Sequence, residues 1–283
     1  MRLLNIVAKM AFALLAAVSF AACGSDEPAP QGAPRLTSIS EQLFGDCTWT
    51  FAYDLGGSLA KLSKTADRRT GASMAETFGP TQVKAEYSGD GSSLDATLHA
   101  ISVTATNARG YVTAAESKVY STFTLTELRR VDYAFAYDDS ARLVSVKAST
   151  WKQAPLKQYT DDVVTTFTYD ALGQLESCQS SDGSVAITCT YADRAVANAF
   201  GLPGLAMRLA LDDHLLGLCY AGLLGRGSAS LPSGVRASKA PGLNAPYNVS
   251  LAYSLNGLGL VSAERMNAGA GTLVNTYRYS RAK

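Results

Sequence analysis

The sequence predicts a mainly all-β fold: an antiparallel meander of repeated hairpins forming a curled sheet or a barrel, with one short helix near residues 213–224. Three observations predict it. The first is a hairpin in miniature, Phe167-Thr168-Tyr169-Asp170-Ala171-Leu172-Gly173-Gln174-Leu175-Glu176-Ser177. Phe167 and Tyr169 are two apart, so a strand points both rings to one face. Asp170 to Gly173 supplies turn chemistry, because Asp bonds the backbone ahead of it and Gly takes φ > 0 without steric cost. Leu175 and Ser177 resume the alternation on the returning strand. The second observation is that copies of this unit recur along the chain. The third is that Tyr outnumbers Phe 14 to 9 while charged residues are only 17%, a balance that suits rings half-buried on a sheet with their hydroxyls toward water.

From the N-terminus, Arg2 and Lys9 precede an apolar run from Met10 to Ala22, and Cys23 follows directly. Its 13 residues fall short of the ~20 that a membrane-spanning helix needs. They fit the apolar region of a signal peptide, residues 1–22. The ending Phe20-Ala21-Ala22-Cys23 resembles the lipobox of bacterial lipoproteins. That resemblance implies cleavage before Cys23 and diacylation of its thiol, and two acyl chains make stable anchoring physically reasonable. The alternative is an ordinary signal cut at Ala22, with Cys23 incidental. Gly24 to Pro34 is Pro, Gly, Ser and acid without apolar periodicity, which predicts a flexible tether. Residues 23–42 are therefore expected to be lipidated N-terminus and tether, and 43–283 a single β-rich domain. Gly24 resembles the residue that follows the cysteine in lipoproteins sorted to the outer membrane, and Ser25-Asp26-Glu27 resembles signals for export to the cell surface.

Within the domain, the first copy of the unit is Trp49 to Leu59, the second Tyr133 to Val146, the third the one quoted above, and a degenerate copy spans Tyr253 to Leu260. Weaker echoes lie at Tyr87 to Gly91 and Thr106 to Gly110. In all six the Tyr or its stand-in lies four residues before the Gly or its stand-in. Ala141 holds the Gly place in the second copy, which predicts a stiffer or differently shaped turn. Between the copies, His99 to Thr106, Tyr111 to Ala115, Tyr120 to Leu128 and Val163 to Tyr169 read as strands. Ser177 to Tyr191 folds back across Asp182-Gly183, a strong hairpin signal. Leu205 to Leu211 alternates Leu and Met with Ala and Arg, which predicts another strand. After it, Asp212 as N-cap and Gly225 as stop frame the short helix, with Gly217 and Gly222 costing it about 1 kcal/mol each. Gly225 through Pro246 reads as loop, and Val249 to Tyr253 and Leu273 to Tyr279 as closing strands.

Two resemblances follow from these motifs. The Phe-x-Tyr-Asp-x-x-Gly-x-Leu-x-Ser unit is similar to the YD repeats of bacterial Rhs-type shell proteins. The larger order resembles an uncharacterised family of Gram-negative lipoproteins, a domain of unknown function with a porin-like fold. That order is Cys23, Tyr-Asp hairpins, a Leu-rich helix, Gly225-Arg226-Gly227-Ser228-Ala229-Ser230-Leu231-Pro232, and a closing Tyr253…Gly259-Leu260-Val261-Ser262 hairpin. The likeness implies an envelope location and brings no catalytic residues with it.

The chemistry-bearing residues point the same way. His99 and His214 are the two histidines, and neither lies in a triad or metal-ligand motif. There is no nucleophile elbow and no phosphate-cradling loop. The doublets Asp138-Asp139, Asp161-Asp162 and Asp212-Asp213 place adjacent carboxylates on opposite faces of a strand, and turn or cap duty accounts for Asp138 and Asp212. Gly89 to Asp95 carries too few carboxylates for a calcium loop. No catalytic residue, metal or cofactor is expected, and a net charge of +1 argues against a nucleic-acid partner. The aromatic ladder gives two readings. Trp49, Tyr53, Tyr137 and Tyr169 stack on a glycan or peptide ligand, or the ladder rings are core, paired across strands. A transmembrane barrel would need continuous apolar outward faces, and Ser145, Lys147 and Ser149, or Ser177, Gln179 and Ser181, do not supply them.

Export permits disulfides. Cys47, Cys178, Cys189 and Cys219 allow three full pairings. A two-residue Asp182-Gly183 turn sets Cys178 opposite Ile187 with Cys189 on the diagonal, and a four-residue loop sets the two cysteines opposite each other. Cys178–Cys189 is the expected bridge. The reading is an outer-membrane or cell-surface lipoprotein whose partners are the membrane, through Cys23, and possible glycan or peptide ligands. A structural envelope protein without a small ligand is the alternative.

Overall fold

The repeated unit folds as one hairpin, used several times. A computed structural model describes residues 34–280, except 43–45, 55–57, 66–72, 79–82, 89–96, 122–125, 153–157, 160–161, 212, 241–244 and 270. At Asp170 the side chain accepts the backbone N–H of Leu172 and of Gln174, both at 2.8 Å, while the N–H of Gly173 reaches the carbonyl of Asp170. Asn107 and Asn256 make the same pair of contacts in their turns, and Asp138 accepts the N–H of Arg142. Gly110, Gly173 and Gly259 take φ of 79°, 78° and 76°. Ala141 takes φ 63° and its N–H closes on Asp138 as the glycines do. The turn is thus the same shape with an alanine under strain, not a different one.

The strands are β1 (Arg35–Glu41), β2 (Cys47–Tyr53), β3 (Leu59–Lys64), β4 (Ser73–Phe78), β5 (Val83–Ser88), β6 (Thr97–Thr106), β7 (Val112–Ser121), β8 (Glu127–Tyr137), β9 (Leu143–Lys152), β10 (Gln158–Tyr159), β11 (Val163–Tyr169), β12 (Leu175–Ser180), β13 (Ala186–Thr190), β14 (Val196–Ala197), β15 (Ser230–Leu231), β16 (Gly234–Lys239), β17 (Tyr247–Leu255), β18 (Val261–Asn267) and β19 (Thr272–Ser280). All but the small β14–β15 pair belong to one antiparallel sheet of 17 strands. It curls round on itself: β1 is hydrogen-bonded to β2 on one side and to β19 on the other. Of the two expected forms, curled sheet and barrel, this is the barrel. The domain starts at Arg35 and not at 43, because β1 is the strand on which the two ends of the meander meet.

The returning strand of each hairpin begins with a bulge. Thr168 and Tyr169 face Ser177 and Leu175, and Ala136 and Tyr137 face Ser145 and Leu143. An extra residue switches the face, so Leu175 and Cys178 both point inward in place of the expected Leu175 and Ser177. In the last copy the positive-φ glycine is Gly259, so the turn starts at Asn256 and Leu255 occupies the Tyr place. The offset from Tyr253 to Gly257 is a coincidence of spacing.

Two helices fill the barrel, α1 (Leu205–Ala210) and α2 (Asp213–Tyr220). The first replaces an expected strand. Leu205, Ala206, Arg208, Leu209 and Ala210 are all buried, and a helix buried on every side shows no amphipathic period to read. Its Leu, Ala, Met and Arg are good helix formers. The second helix stops at Tyr220. Leu223 N–H bonds the Leu218 carbonyl and Gly222 N–H the Cys219 carbonyl, with Gly222 at φ 72°. This is a Schellman stop, so Gly222 ends the helix and Gly225 does not. The expected loop beyond Gly225 contains β16, whose Val235 and Ala237 point inward between exposed Arg236 and Ser238. One inward alanine in so short a strand hides its alternation.

Polarity runs from inside to outside. Trp49, Phe51, Phe135, Phe167, Ile187 and Val249 are buried with the helices in one core. The opposite faces of the strands expose Thr50, Lys147, Gln179, Arg236, Asn248 and Arg278. Among the described residues no helix is long and apolar enough to cross a membrane.

Candidate functional site

The aromatic ladder lies inside the barrel. Trp49 has no exposed surface, and Phe51, Tyr133, Phe135 and Phe167 are at most 6% exposed. Trp49 and Phe51 pack on Tyr220 of α2, with ring centroids at 5.1 and 5.8 Å. Of the four rings expected to stack on a ligand, Trp49 is therefore spent on the core. Tyr53, Tyr137 and Tyr169 are half-buried, and each has its hydroxyl committed to the chain. Tyr53 donates to the Leu36 carbonyl, Tyr137 to Val112 and Tyr169 to Leu143. Tyr191 and Tyr253 do the same toward Leu175 and Pro232.

Each of these carbonyls lies on a neighbouring stretch at the same end of the barrel, so the tyrosines latch one turn to the next. Burial pushes the Tyr53 phenol up to about 12, against the pull of Arg35. Burial also carries Tyr191 to about 12 and moves Tyr137, Tyr169 and Tyr253 upward. The hydroxyls remain donors at neutral pH. Arg142 ties two latches together, with its Nε on Asp138 at 2.7 Å and its guanidinium 4.7 Å from the centre of the Tyr169 ring.

The segment Gly225 to Leu231 is laced across these turns. Arg226 N–H bonds the Ala141 carbonyl, Ala229 N–H the Gly173 carbonyl, and Ser228 Oγ accepts the Leu175 N–H. A Cβ on Gly225 would come within 2.5 Å of the Ala141 oxygen, and one on Gly227 within 2.8 Å of the Gly201 oxygen. Glycine is needed there for close backbone approach. Beneath this strap lies a cavity of about 30 Å³, bordered by Tyr169, Leu175, Cys189, Tyr191, Cys219 and Ser228. It has room for about two waters and none for a sugar ring, since ligand sites run to roughly 300 Å³ and more.

A second polar cluster lies where the ends of the meander meet. Arg208 of α1 holds Glu41 of β1 at 2.9 Å and Glu264 of β18 at 2.5 Å. The Trp49 indole donates to Glu41 at 2.8 Å. Asn275 and Tyr277 of β19 donate to Glu264 at 2.9 and 3.2 Å. The three ionic side chains are at most 2% exposed. Burial alone would lower the Arg208 pKa, but Glu264, Tyr277 and Glu41 hold it well above the usual guanidinium range. A guanidinium gripping two carboxylates on different strands, in a place closed to solvent, holds α1, β1 and β18 together.

Sequence reasoning missed this cluster. Glu41 fell in the expected tether, and Arg208 in an expected strand. The available signal was Arg208 itself, a charge inside an apolar run, which is almost never fully buried without a partner.

No disulfide joins Cys47, Cys178, Cys189 or Cys219 in this structure. Cys178 stands opposite Ile187, the register expected for the two-residue turn, with Cys189 on the diagonal. Diagonal Cα atoms are ~7–8 Å apart, beyond the usual reach of a disulfide. Burial pushes the Cys189 and Cys219 thiols up to about 12 and Cys178 well above its ordinary value, so none is activated. Asp162 is bound by Lys147 and Ser149, and among the described residues no His, Cys, Asp and Glu group could hold a metal. Cys23 lies outside the described residues.

No protein-family model matches the chain, and no curated protein does. Among solved structures it is similar to a porin-like protein from Bacteroides uniformis, at 15% identity and a TM-score of 0.58, over 90% of this chain and 100% of that one. It is also similar to a porin-like protein from Bacteroides vulgatus, at 12% identity and a TM-score of 0.58, over 87% and 97%. At such identities the likeness is one of fold: this chain has the antiparallel β architecture of those porin-like proteins.

Proposed function

We propose that this chain is a lipid-anchored envelope protein, held at the outer membrane through acylated Cys23, whose filled barrel is a non-catalytic structural element. The observation that carries the reading is the polarity of the barrel. A membrane barrel turns apolar residues outward and keeps a polar lumen. Here α1, α2 and the aromatic ladder occupy the lumen, and the outward face exposes Thr50, Lys147, Asn248 and Arg278. This polarity argues against a barrel seated in lipid and against a conducting lumen, and the reading gives membrane attachment to the N-terminus, where the lipobox-like Phe20-Ala21-Ala22-Cys23 stands. The porin-like neighbours support an envelope setting, and the similarity of the hairpin unit to YD repeats supports a structural role for the meander.

The glycan- or peptide-binding reading has less support, because Trp49 is buried, the latch hydroxyls are occupied and the cavity holds about 30 Å³. Two measurements test the proposal. Mass spectrometry of the membrane fraction should find an acylated peptide beginning at Cys23, and a freely secreted protein would refute the anchor. A glycan and peptide array probed with the full protein should give no saturable binding. A ligand bound at micromolar affinity would replace the structural role with a recognition role.

A further inference from the structure

Strand directions bring the start of the chain and the repeated turns to one end of the barrel. Arg35 pairs with Ser280 at the outgoing end of β19, and Leu36 accepts the hydroxyl of Tyr53 at the β2–β3 turn. The β11–β12 and β17–β18 turns lie at this same rim, because Tyr169 reaches Leu143 and Tyr253 reaches Pro232. Among the described residues, three exposed large hydrophobics lie there, Leu172 at 73%, Leu258 at 61% and Leu255 at 50%, and Leu128 at 47% sits near the start of β8 at the opposite end.

These tips are held out rather than loosely extended. The N–H of Leu172 is bound by the Asp170 side chain at 2.8 Å and that of Leu258 by the Asn256 side chain at 2.9 Å. Little further ordering entropy is lost when they dock. Four strand spacings separate the two hairpins, about 19 Å at ~4.8 Å each, and β1 lies about 12 Å beyond the β17–β18 hairpin. Exposed charge among the described rim residues is mixed, with Arg109 and Arg194 beside Asp139 and Asp193, so what these leucine tips offer is apolar contact and not electrostatic attraction.

We propose that this rim faces the bilayer, with Leu172, Leu255 and Leu258 entering the boundary between headgroups and acyl chains. The inference rests on the anchoring of Cys23. Eleven residues lie between Cys23 and Arg35, a span of twelve Cα steps that cannot exceed about 43 Å even fully extended, and the tether leaves the barrel from this rim, so an anchor at Cys23 favours the approach of this rim to the lipid. Apolar side chains at that boundary add to the hold of the acyl chains and fix the orientation of the barrel.

The test uses the full chain, exported and processed by its host, with single substitutions Leu172→Cys, Leu258→Cys or, at the opposite end, Ser181→Cys. Each variant is labelled with an environment-sensitive fluorophore and reconstituted into phosphatidylethanolamine–phosphatidylglycerol vesicles. The native thiols compete poorly, since Cys47 and Cys178 are buried and Cys189 and Cys219 are pushed up to about 12. Flotation with the vesicles and blue-shifted emission at positions 172 and 258, with none at 181, is the expected result. Flotation without a shift at 172 and 258, or with a shift at 181, overturns the inference while leaving the anchor intact, and a rim reserved for a protein partner would give that outcome. Protein that does not float, together with an unmodified Cys23 peptide, fails the anchor reading and the inference with it.

Discussion

The turn rim and the seam are both held by buried or half-buried polar groups, yet they are built on opposite principles. At the rim, one short device is repeated: an Asx side chain that ties its own turn within four residues, and a tyrosine hydroxyl that reaches the adjacent stretch. At the seam, one unrepeated cluster joins residues 167 and 56 positions apart, Arg208 with Glu41 and Arg208 with Glu264. Damage at the rim is therefore divided among copies, while damage at the seam falls on a single guanidinium.

The largest expected effect is at the seam. Arg208→Leu leaves Glu41 and Glu264 buried without their counter-charge and should cost about 3–5 kcal/mol, read as a shift of the guanidinium chloride midpoint. Adding Glu41→Gln and Glu264→Gln should recover a large part of that loss, because uncompensated charge is its source. A loss below about 1 kcal/mol for Arg208→Leu would break the comparison, making the seam no more dependent on one residue than the rim. Phe167→Ala should cost about 3–5 kcal/mol by cavity formation, as the ring is 2% exposed. A near-neutral result there, with loss of a ligand, would move the ladder from core to recognition surface.

Single changes in the turns should be smaller and of either sign. Gly173→Val forces a branched residue to φ 78° and should destabilise by about 1–2 kcal/mol. Ala141→Gly releases the strain at φ 63° and should stabilise by up to about 1 kcal/mol. The pair measured together by denaturant titration would sharpen the claim that the two turns share one geometry.

The pH dependence is expected to be asymmetric. Burial raises Tyr53, Tyr191, Cys189 and Cys219 to about 12 in the folded protein. Their stabilising contribution is complete below the unfolded values, ~8.5 for thiols and ~10 for phenols. It is lost as pH rises from there through 12, since the unfolded chain ionises first. Thermal melts should fall steadily across that window. On the acid side, Asp182 is held at about 2 by the Ser180 and Ser184 hydroxyls and the Ser184 N–H. Its contribution is present above the unfolded value of ~3.9 and lost as pH falls through 2. As an exposed turn residue it should give the smallest change of the set, and Asp182→Asn should flatten it.

The sequence by itself determined whatever is local. The Asx–Gly turns, and the common strand face of Trp49 with Phe51 and of Phe167 with Tyr169, follow from spacings of two to four residues and from single-residue φ preferences. Those effects act before the chain has folded around them. Tertiary structure decided the rest. The bulges that set Cys178 and not Ser177 inward, the helical state of Leu205 to Ala210, the strand in Gly234 to Lys239 and the place of β1 depend on neighbours far along the chain. So does the seam. Arg208 is stable in an apolar core because Glu41 and Glu264 are there to receive it. No spacing in the sequence links the three, since only the curl of the sheet brings their strands to one helix.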